Sequence, residues 1–368
     1  MSDAPTGMGA RTGALEALLG GGRARTFGQA VWRELAADRI LYLLIGLYGL
    51  VALALAATAG VLGQVNLLTY MPVWTQAIAS ALLLYIVVVE APRSIRAAPA
   101  APMTHLIGRT AELVTPRLVS GVLLMFAVGL FMGVFTTVKT MLPQFATFSW
   151  DRPFAELDAL IFGGVDPWRL LHPVMGHVAV SKVVEFCYAG VWMLTVCAAP
   201  AWAAMSPRMA HQRHRFLITY FLCWILLGNV MAGIFFSAGP CFYEQVTGDG
   251  ARYAELIAYH ASTPQDVRSA YALQQWLWEV QSEGRMHVGS GISAFPSLHV
   301  AMATLAAIAG FTVNRWMGAL GIAWIALIFA GSIHLGWHYA VDGLASIVGV
   351  VLIWLALRPL QRTAPAQP

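Results

Sequence analysis

Eight runs of apolar residues are spaced along the chain, separated by shorter polar segments. They cover roughly residues 40–62, 72–90, 118–138, 179–203, 215–237, 296–313, 317–334 and 338–357. A helix needs about 20 predominantly apolar residues to cross the hydrocarbon core of a bilayer. The pattern therefore predicts an all-α polytopic membrane bundle with about eight transmembrane helices.

The composition supports a membrane protein and excludes other classes. Of 368 residues, 58% are hydrophobic and only 11% are charged, whereas soluble domains carry about 25% charged residues. The net charge of +4 is spread over the flanks of the apolar runs and forms no basic patch, which argues against nucleic acid as a partner. The four cysteines match neither a disulfide framework nor a zinc motif.

The distribution of Lys and Arg predicts the orientation of the chain. If the N-terminus is cytoplasmic, the segments on the cytoplasmic side hold most of these residues, as the positive-inside rule requires. Both termini are then cytoplasmic in a multi-pass plasma (inner) membrane protein. The two long loops, about 139–178 and 238–295, face the extracytoplasmic side.

The same pattern predicts four parts of the chain. Residues 1–39 form a cytoplasmic segment with an amphipathic helix, and residues 40–117 form a two-helix preface with a Pro/Ala-rich connector. Residues 118–357 form a six-helix core, and residues 358–368 form a cytoplasmic tail.

The two long loops also carry helical patterns. The stretch FSWDRPFAELDALIFGGVDPW in the first loop predicts one short amphipathic helix. In the second loop, Thr263 is a candidate N-cap, followed by Pro264 at the first helical position and Asp266 in the first turn. The pattern therefore predicts that a helix starts at Pro264.

Two stretches at the ends of apolar runs contain the candidate chemistry. GISAFPSLHVAMATLAAI holds Ser297 and His299, and GSIHLGWHYAVDGLAS holds His338 and Asp342. A carboxylate four residues after a histidine lies one helical turn away and can orient the imidazole. One histidine can then attack while the other protonates a leaving group. Ser297 and the N–H groups at a helix start would favour an anion.

Two other interpretations of these residues stay open. Both histidines could be interfacial residues with water and carbonyl partners. Alternatively His334, His338 and Asp342, spaced by four, could bind a transition metal. Gly336 interrupts the helical spacing and no fourth ligand is evident, so we expect no metal.

FPSLH followed by HYAVD resembles the second and third motifs of the type-2 phosphatidic acid phosphatase superfamily, over roughly residues 118–357. The chain is most similar to the inositol-phosphorylceramide synthase branch, which has a comparable upstream stretch where this chain has SAGPCFYE. The resemblance implies a six-helix phosphatase-like core in which His338 attacks phosphorus and Asp342 orients the imidazole of His338. It also implies that His299 protonates the departing oxygen, that Ser297 lies beside the phosphate, and that no metal or other cofactor is needed.

The chain departs from the superfamily pattern at three basic positions. Ser332 replaces an arginine before the third-motif histidine, and Gly239 and Ala232 replace the arginine and lysine of the first motif. A transferring phosphoryl group needs cationic or N–H stabilisation. Candidate replacements in the loops and at span ends are Arg285 as first choice, then Lys182, Arg252, Arg268 and His334. Tyr243 is a candidate head-group contact, or a cap of the fifth span.

These features predict an integral-membrane phosphotransferase or phosphatase that acts on a phospholipid or lipid phosphate through a phosphohistidine. The partners are a lipid substrate and the bilayer, and the active site is extracytoplasmic. An inositolphosphotransferase-like reaction on a phosphodiester would explain why fewer basic ligands suffice, unless two or more Lys or Arg side chains converge on the histidines. The alternatives are a simple lipid phosphate phosphatase and a non-catalytic lipid transporter or scaffold with this fold.

Overall fold

The structure of the chain, a computed structural model, describes residues 21–266 and 269–360. Three parts of the predictions fall outside these residues. They are the first 20 residues of the N-terminal segment, residues 361–368 of the tail, and the candidate cation Arg268.

Every regular element in the described part of the chain is helical, which confirms the predicted all-α fold. The principal helices are α1 (Gly21–Ala37), α2 (Arg39–Thr58), α3 (Met71–Ala97), α4 (Pro102–Leu113), α5 (Pro116–Gln144), α6 (Asp151–Ile161), α7 (Pro167–Met175), α8 (Val178–Met205), α9 (Arg213–Ile234), α10 (Tyr243–Thr247), α11 (Ala254–Ser262), α12 (Ala270–Ser282), α13 (Leu298–Val313), α14 (Arg315–His334) and α15 (Ala340–Ala356).

Six of these helices are long and apolar enough to cross a membrane, namely α2, α3, α5, α8, α9 and α14. The protein is therefore a multi-pass membrane protein. Helices α13 and α15 coincide with the sixth and eighth predicted spans, but they have only 16 and 17 residues. The predicted count of eight spans is thus not confirmed.

Contacts divide the chain into two compact units, one with residues 1–44 and 73–127 and the other with residues 45–72 and 128–368. The first unit contains a buried carboxylate, Glu90, which accepts hydrogen bonds from Arg93 (2.9 Å) and Arg109 (3.4 Å). The second unit contains both candidate histidines. The predicted division of the chain after residue 117 stays a prediction.

A tight helical hairpin brings the two histidine stretches to the same end of the second unit. Helices α13 and α14 are joined by Asn314, whose side chain caps α14. They pack closely because a Cβ at Gly321 would lie 2.5 Å from Ala307 Cα, and one at Gly310 would lie 2.7 Å from the Met317 oxygen. Small residues allow such close packing of apolar helices. Since the two helices run antiparallel, the start of α13 and the end of α14 lie at one end.

The structure confirms one predicted loop helix and corrects the other. Helix α6 forms within the predicted stretch of the first loop. It buries Phe154 and Ala155 together with Asp151 and Asp158, whereas Leu160 is 78% exposed. The predicted helix start at Pro264 is wrong, because α11 ends at Ser262 and α12 begins only at Ala270.

The later start of α12 has a tertiary cause. The carboxylate of Glu185, far away in the sequence, accepts the N–H of Ala270 at 3.1 Å. The side chain of Ser269 accepts the N–H of Ala272 as the N-cap. Thr263 instead donates its hydroxyl to the carbonyl of His260 at 2.8 Å, after the end of α11.

Candidate functional site

His338 lies in the short joint between α14 and α15 and is paired with Asp342. Its Nδ1 is 3.3 Å from Asp342 Oδ2, which also accepts the N–H of Tyr339 at 2.9 Å. The backbone N–H groups of Trp337 and His338 both donate to the carbonyl of Ser332. The histidine is 7% exposed and the aspartate is fully buried. The joint therefore holds one face of the imidazole against a carboxylate.

His299, in the first turn of α13, is the second member of the site. Its ring centroid lies 6.1 Å from that of His338. The ring also stacks against Tyr188 at 4.0 Å and Trp192 at 3.9 Å, both on α8. Trp192 Nε1 donates a hydrogen bond to the backbone carbonyl of His299 at 3.0 Å. Aromatic faces thus orient this histidine.

Ser297 connects the two halves of the site. It is fully buried and caps α13, since its hydroxyl accepts the N–H of Val300. Its own N–H donates to the backbone carbonyl of Asp342 at 3.2 Å. The first turns of α13 and α15 are therefore joined directly, and the two histidines are held in a defined relation.

Two buried carboxylates on α6 contact the segments that carry the site. Asp158 accepts the N–H groups of Ala340 at 2.6 Å and Val341 at 2.9 Å. Burial raises the pKa of Asp158 to about 7, although these two N–H donors lower it in part. Asp151 accepts the hydroxyl of Tyr339 at 2.9 Å. The sequence analysis did not assign a role to either residue, although seven-residue spacing places both on one helix face.

Lys139, near the end of α5, is a cation that lies close enough to bear on the histidine pair. Its charge acts on both His299 and His338. The segment before α13 packs against its stem, since a Cβ at Gly291 would lie 2.9 Å from Lys139 Cγ. The sequence analysis missed this residue, because a lysine at the end of a span has the ordinary pattern of a membrane flank.

The structure explains why the three basic positions of the superfamily pattern are not basic here. Gly239 has φ +99° and a Cβ there would lie 2.5 Å from the carbonyl oxygen of Trp337. Ala232 is fully buried in an apolar cluster with Leu142 and Phe236. Ser332 is buried and its carbonyl binds the N–H of His338. Packing and backbone contacts occupy all three positions.

The other candidate cations in the described part of the chain are already paired with carboxylates. Arg285, the first choice, is half-exposed and contacts Glu283. Lys182 binds Glu185 at 2.7 Å, and Arg252 binds Asp166 at 2.7 Å. The role of Arg285 at the histidine pair stays a prediction.

His334 and Tyr243 also lie in other surroundings. His334 Nε2 is 3.0 Å from the hydroxyl of Ser181, and its ring contacts those of His172 and His260. Tyr243 is 3% exposed and packs edge-on against Tyr253 at 5.1 Å. Within residues 21–266 and 269–360, no three His, Cys, Asp or Glu side chains are arranged to hold a metal, so His334, His338 and Asp342 do not form such a group.

The family model described as PAP2 superfamily matches residues 152–357, which is more than half of the chain. The chain belongs to the PAP2 superfamily, and this confirms the superfamily predicted from the FPSLH and HYAVD motifs. Comparison with curated proteins and with solved structures gave no match. Membership supports an enzyme that acts on phosphate esters. The assignment to the inositol-phosphorylceramide synthase branch stays a prediction.

Proposed function

We propose that the protein is an inositolphosphotransferase-like enzyme that transfers a substituted phosphoryl group between lipids through a phosphohistidine. One observation carries the proposal. A His338–Asp342 pair stands 6.1 Å, ring to ring, from His299, and a single lysine acts electrostatically on both histidines. A simple lipid phosphate phosphatase, with the same residues, is the second candidate.

The first step forms a bond between His338 and phosphorus. Because Nδ1 of His338 faces Asp342, we assign the attack to Nε2. The imidazole also makes a hydrogen bond to the backbone of Ala294, and the substrate must leave Nε2 free of that contact. The phosphorus–oxygen bond to the departing lipid alcohol breaks, and His299 transfers a proton to that oxygen. Asp342 holds the ring in one orientation and stabilises the positive charge that develops on it.

The second step releases the phosphoryl group to an acceptor. The acceptor oxygen attacks phosphorus, the nitrogen–phosphorus bond breaks, and His299 takes the acceptor's proton. A lipid hydroxyl or a polyol as acceptor gives a phosphotransferase, and water gives a phosphatase. His299 is returned to its protonated form, ready for the next cycle.

The charge of the site favours a phosphodiester donor over a phosphate monoester. A monoester carries close to two negative charges near neutral pH, whereas a diester carries one. The stem of Lys139 packs against Gly291, in the segment before His299, and its charge bears on both histidines. The first N–H groups of α13 lack acceptors within the helix and can add partial positive charge. These groups match a singly charged substrate.

We also propose that this chemistry takes place at the extracytoplasmic face of the plasma (inner) membrane. The proposal rests on the excess of Lys and Arg in the segments that alternate with the site-bearing loops. A substrate in the outer leaflet would then present its head group to the end of the bundle that carries His299 and His338.

The test uses the full-length protein, purified and reconstituted in lipid vesicles. One reaction contains a labelled lipid monophosphate, and another contains a labelled inositol phospholipid with a lipid-alcohol acceptor. His338→Ala is the inactive variant, and His177→Ala, at an exposed histidine, is the matched control. A new labelled lipid that is lost only with His338→Ala supports the transferase.

The other outcomes discriminate among the alternatives. Free phosphate that is lost only with His338→Ala favours the phosphatase. Product that persists with His338→Ala contradicts the phosphohistidine mechanism. A folded protein that yields neither product favours the non-catalytic transporter or scaffold.

A further inference from the structure

Two buried aspartates of α6 hold the backbone on which His338 stands. We propose that Asp158 and Asp151 are positioning residues that set the geometry of attack by His338. This inference rests on the proposed function, because it assigns how the nucleophile of that reaction is aligned.

Asp158 binds the start of the helix that follows His338. The N–H groups of Ala340 and Val341 are the first two of α15, so they have no acceptor within the helix. The two carboxylate oxygens of Asp158 each accept one of them, at 2.6 Å and 2.9 Å. A carboxylate at this end also interacts favourably with the helix dipole. Asp158 thus fixes α15 two residues beyond the nucleophile.

Asp151 binds the residue between His338 and α15, together with a second loop. It accepts the hydroxyl of Tyr339 at 2.9 Å and the N–H groups of Ala238 and Gly239 at 2.8–3.0 Å. Gly239 in turn packs against the carbonyl of Trp337, the residue before His338. Asp151 therefore binds the side chain that follows His338 and the loop that packs against the residue before it.

Helix α6 also reaches the half of the site that carries His299. Between the two aspartates, Phe154 stacks on Phe295 with ring centroids 4.6 Å apart. Phe295 lies two residues before Ser297, which caps the helix of His299. One face of α6 therefore contacts the segments of both histidines, and a displacement of α6 would change their separation.

The contacts indicate alignment and not chemistry. Both oxygens of Asp158 are occupied by backbone N–H groups, and Asp158 is 2% exposed. The pairing of the imidazole itself is made by Asp342. A misplacement of a reacting group by about 1 Å can reduce a rate about 10²-fold. We therefore expect loss of the contacts made by Asp158 and Asp151 to reduce kcat with little change in KM.

The experiment compares Asp158→Ala, Asp158→Asn and Asp151→Asn in full-length protein in vesicles. The matched control is Glu156→Gln, on the exposed face of the same helix. We expect Asp158→Ala to lower kcat about 30- to 100-fold, with KM within about threefold. Asp158→Asn keeps one carbonyl acceptor, so it should retain more activity than Asp158→Ala. The rate of phosphoenzyme formation after acid quench should fall in parallel with kcat.

A backbone variant keeps the test decisive if Asp158→Ala does not fold. Ala340→Pro replaces the N–H that donates to Asp158 at 2.6 Å by a ring carbon, so it breaks this contact and forces the carboxylate away from the start of α15. Proline is well tolerated at the first helical position, and the preceding Tyr339 already has the extended conformation that proline requires. We expect a loss of kcat per folded molecule of about 5- to 20-fold, and thermal unfolding of the same sample measures the accompanying loss of stability.

Two results would overturn the inference. One is a wild-type kcat per folded molecule in both Asp158→Ala and Ala340→Pro. The other is a decrease in activity that is fully explained by a higher KM and a smaller folded fraction, because a purely structural role would produce it. Failure of the proposed function is recognised separately, because in that case His338→Ala also leaves the activity intact.

Discussion

The two histidines of the site lie in contrasting surroundings. His338 stands in a polar joint, with the carboxylate of Asp342 against its ring and two further aspartates bound to Tyr339 and Ala340, the residues that follow it. His299 stands on a helix, with its ring against the faces of Tyr188 and Trp192. A carboxylate stabilises a positive charge on the ring beside it, and an aromatic face mainly restricts orientation. The contrast supports the proposed attack by His338 and the proposed proton transfer by His299.

The largest expected effect separates these two roles by the leaving group. His338→Ala should lower activity about 10⁴-fold or more on every substrate, whereas His299→Ala should lose about 10²- to 10⁴-fold on a lipid substrate. The nitrophenolate group of a nitrophenyl phosphodiester departs without needing a proton. With this substrate, His299→Ala should therefore recover most of the wild-type rate. Release of nitrophenol by each variant measures this. Equal losses for both variants on both substrates would contradict the assignment.

Asp342→Asn should produce the next largest effect. The amide keeps the shape but no longer stabilises a cationic ring, and it can select the wrong tautomer of His338. We expect kcat to fall on the order of 10³-fold. The nitrophenyl substrate should not rescue this variant, because its defect concerns the nucleophile. Rescue on that substrate would mean that Asp342 acts through His299.

The charge of Lys139 bears on both His299 and His338. Its loss should therefore affect both substrate binding and the rate of reaction. Lys139→Met should lower kcat/KM about 10²-fold on a phosphodiester, and Lys139→Arg should retain part of the activity because it retains the charge. Steady-state kinetics in vesicles at two ionic strengths measure both. Arg285→Met, at the exposed and paired arginine, is the control. An equal loss of kcat/KM with Arg285→Met would indicate that Arg285 also acts at the site.

The aromatic faces around His299 should contribute a smaller effect. Trp192→Leu removes a stacked ring and the hydrogen bond to the His299 carbonyl. Stacking of this kind is worth about 0.5–1.5 kcal/mol, so we expect about a 2- to 10-fold loss of kcat on the lipid substrate. Trp316→Leu, at a tryptophan that is 70% exposed, should have no effect. A loss that persists on the nitrophenyl substrate would show that Trp192 does not act through His299.

The smallest expected effect is a dependence of stability on pH at the His338 side. The folded-state pKa of Asp158, about 7, lies above the value of about 3.9 for an unfolded chain. The folded state therefore binds this proton more tightly, and the associated stability is fully present below about pH 4 and is lost as the pH rises through 7. The thermal midpoint should fall between pH 5 and pH 8, and Asp158→Asn should weaken that fall. An unchanged slope in this variant would assign the dependence to another group.

Local patterns were sufficient for several features. The four-residue spacing of His338 and Asp342 places them within one turn, and the structure pairs them. The apolar run predicted over 296–313 forms a helix that begins at Leu298, and Ser297 caps it. These features depend on neighbours in the chain, which a sequence displays directly. The predicted start of a helix at Pro264 failed because Glu185, from another helix, accepts the N–H of Ala270.

The residues that the sequence analysis missed are distant in the chain from those they serve. Lys139, Asp151, Asp158, Tyr188 and Trp192 lie at least 100 residues from the histidines whose rings or backbone they contact or influence. None of them forms a motif with FPSLH or HYAVD. Arg285 was preferred because it is near His299 in the sequence, yet its side chain pairs with Glu283 instead.

The sequence by itself determined that this is a helical membrane protein of the PAP2 superfamily, with His299, His338 and Asp342 as its candidate chemistry. Those properties follow from apolar run length and from short-range spacing. Only the tertiary structure brought Lys139 near the pair, placed the carboxylates of α6 against the start of α15, and packed the positions that are basic in the superfamily pattern. Such contacts arise when antiparallel helices bring distant segments to one end of a bundle, and no local period in a sequence encodes them.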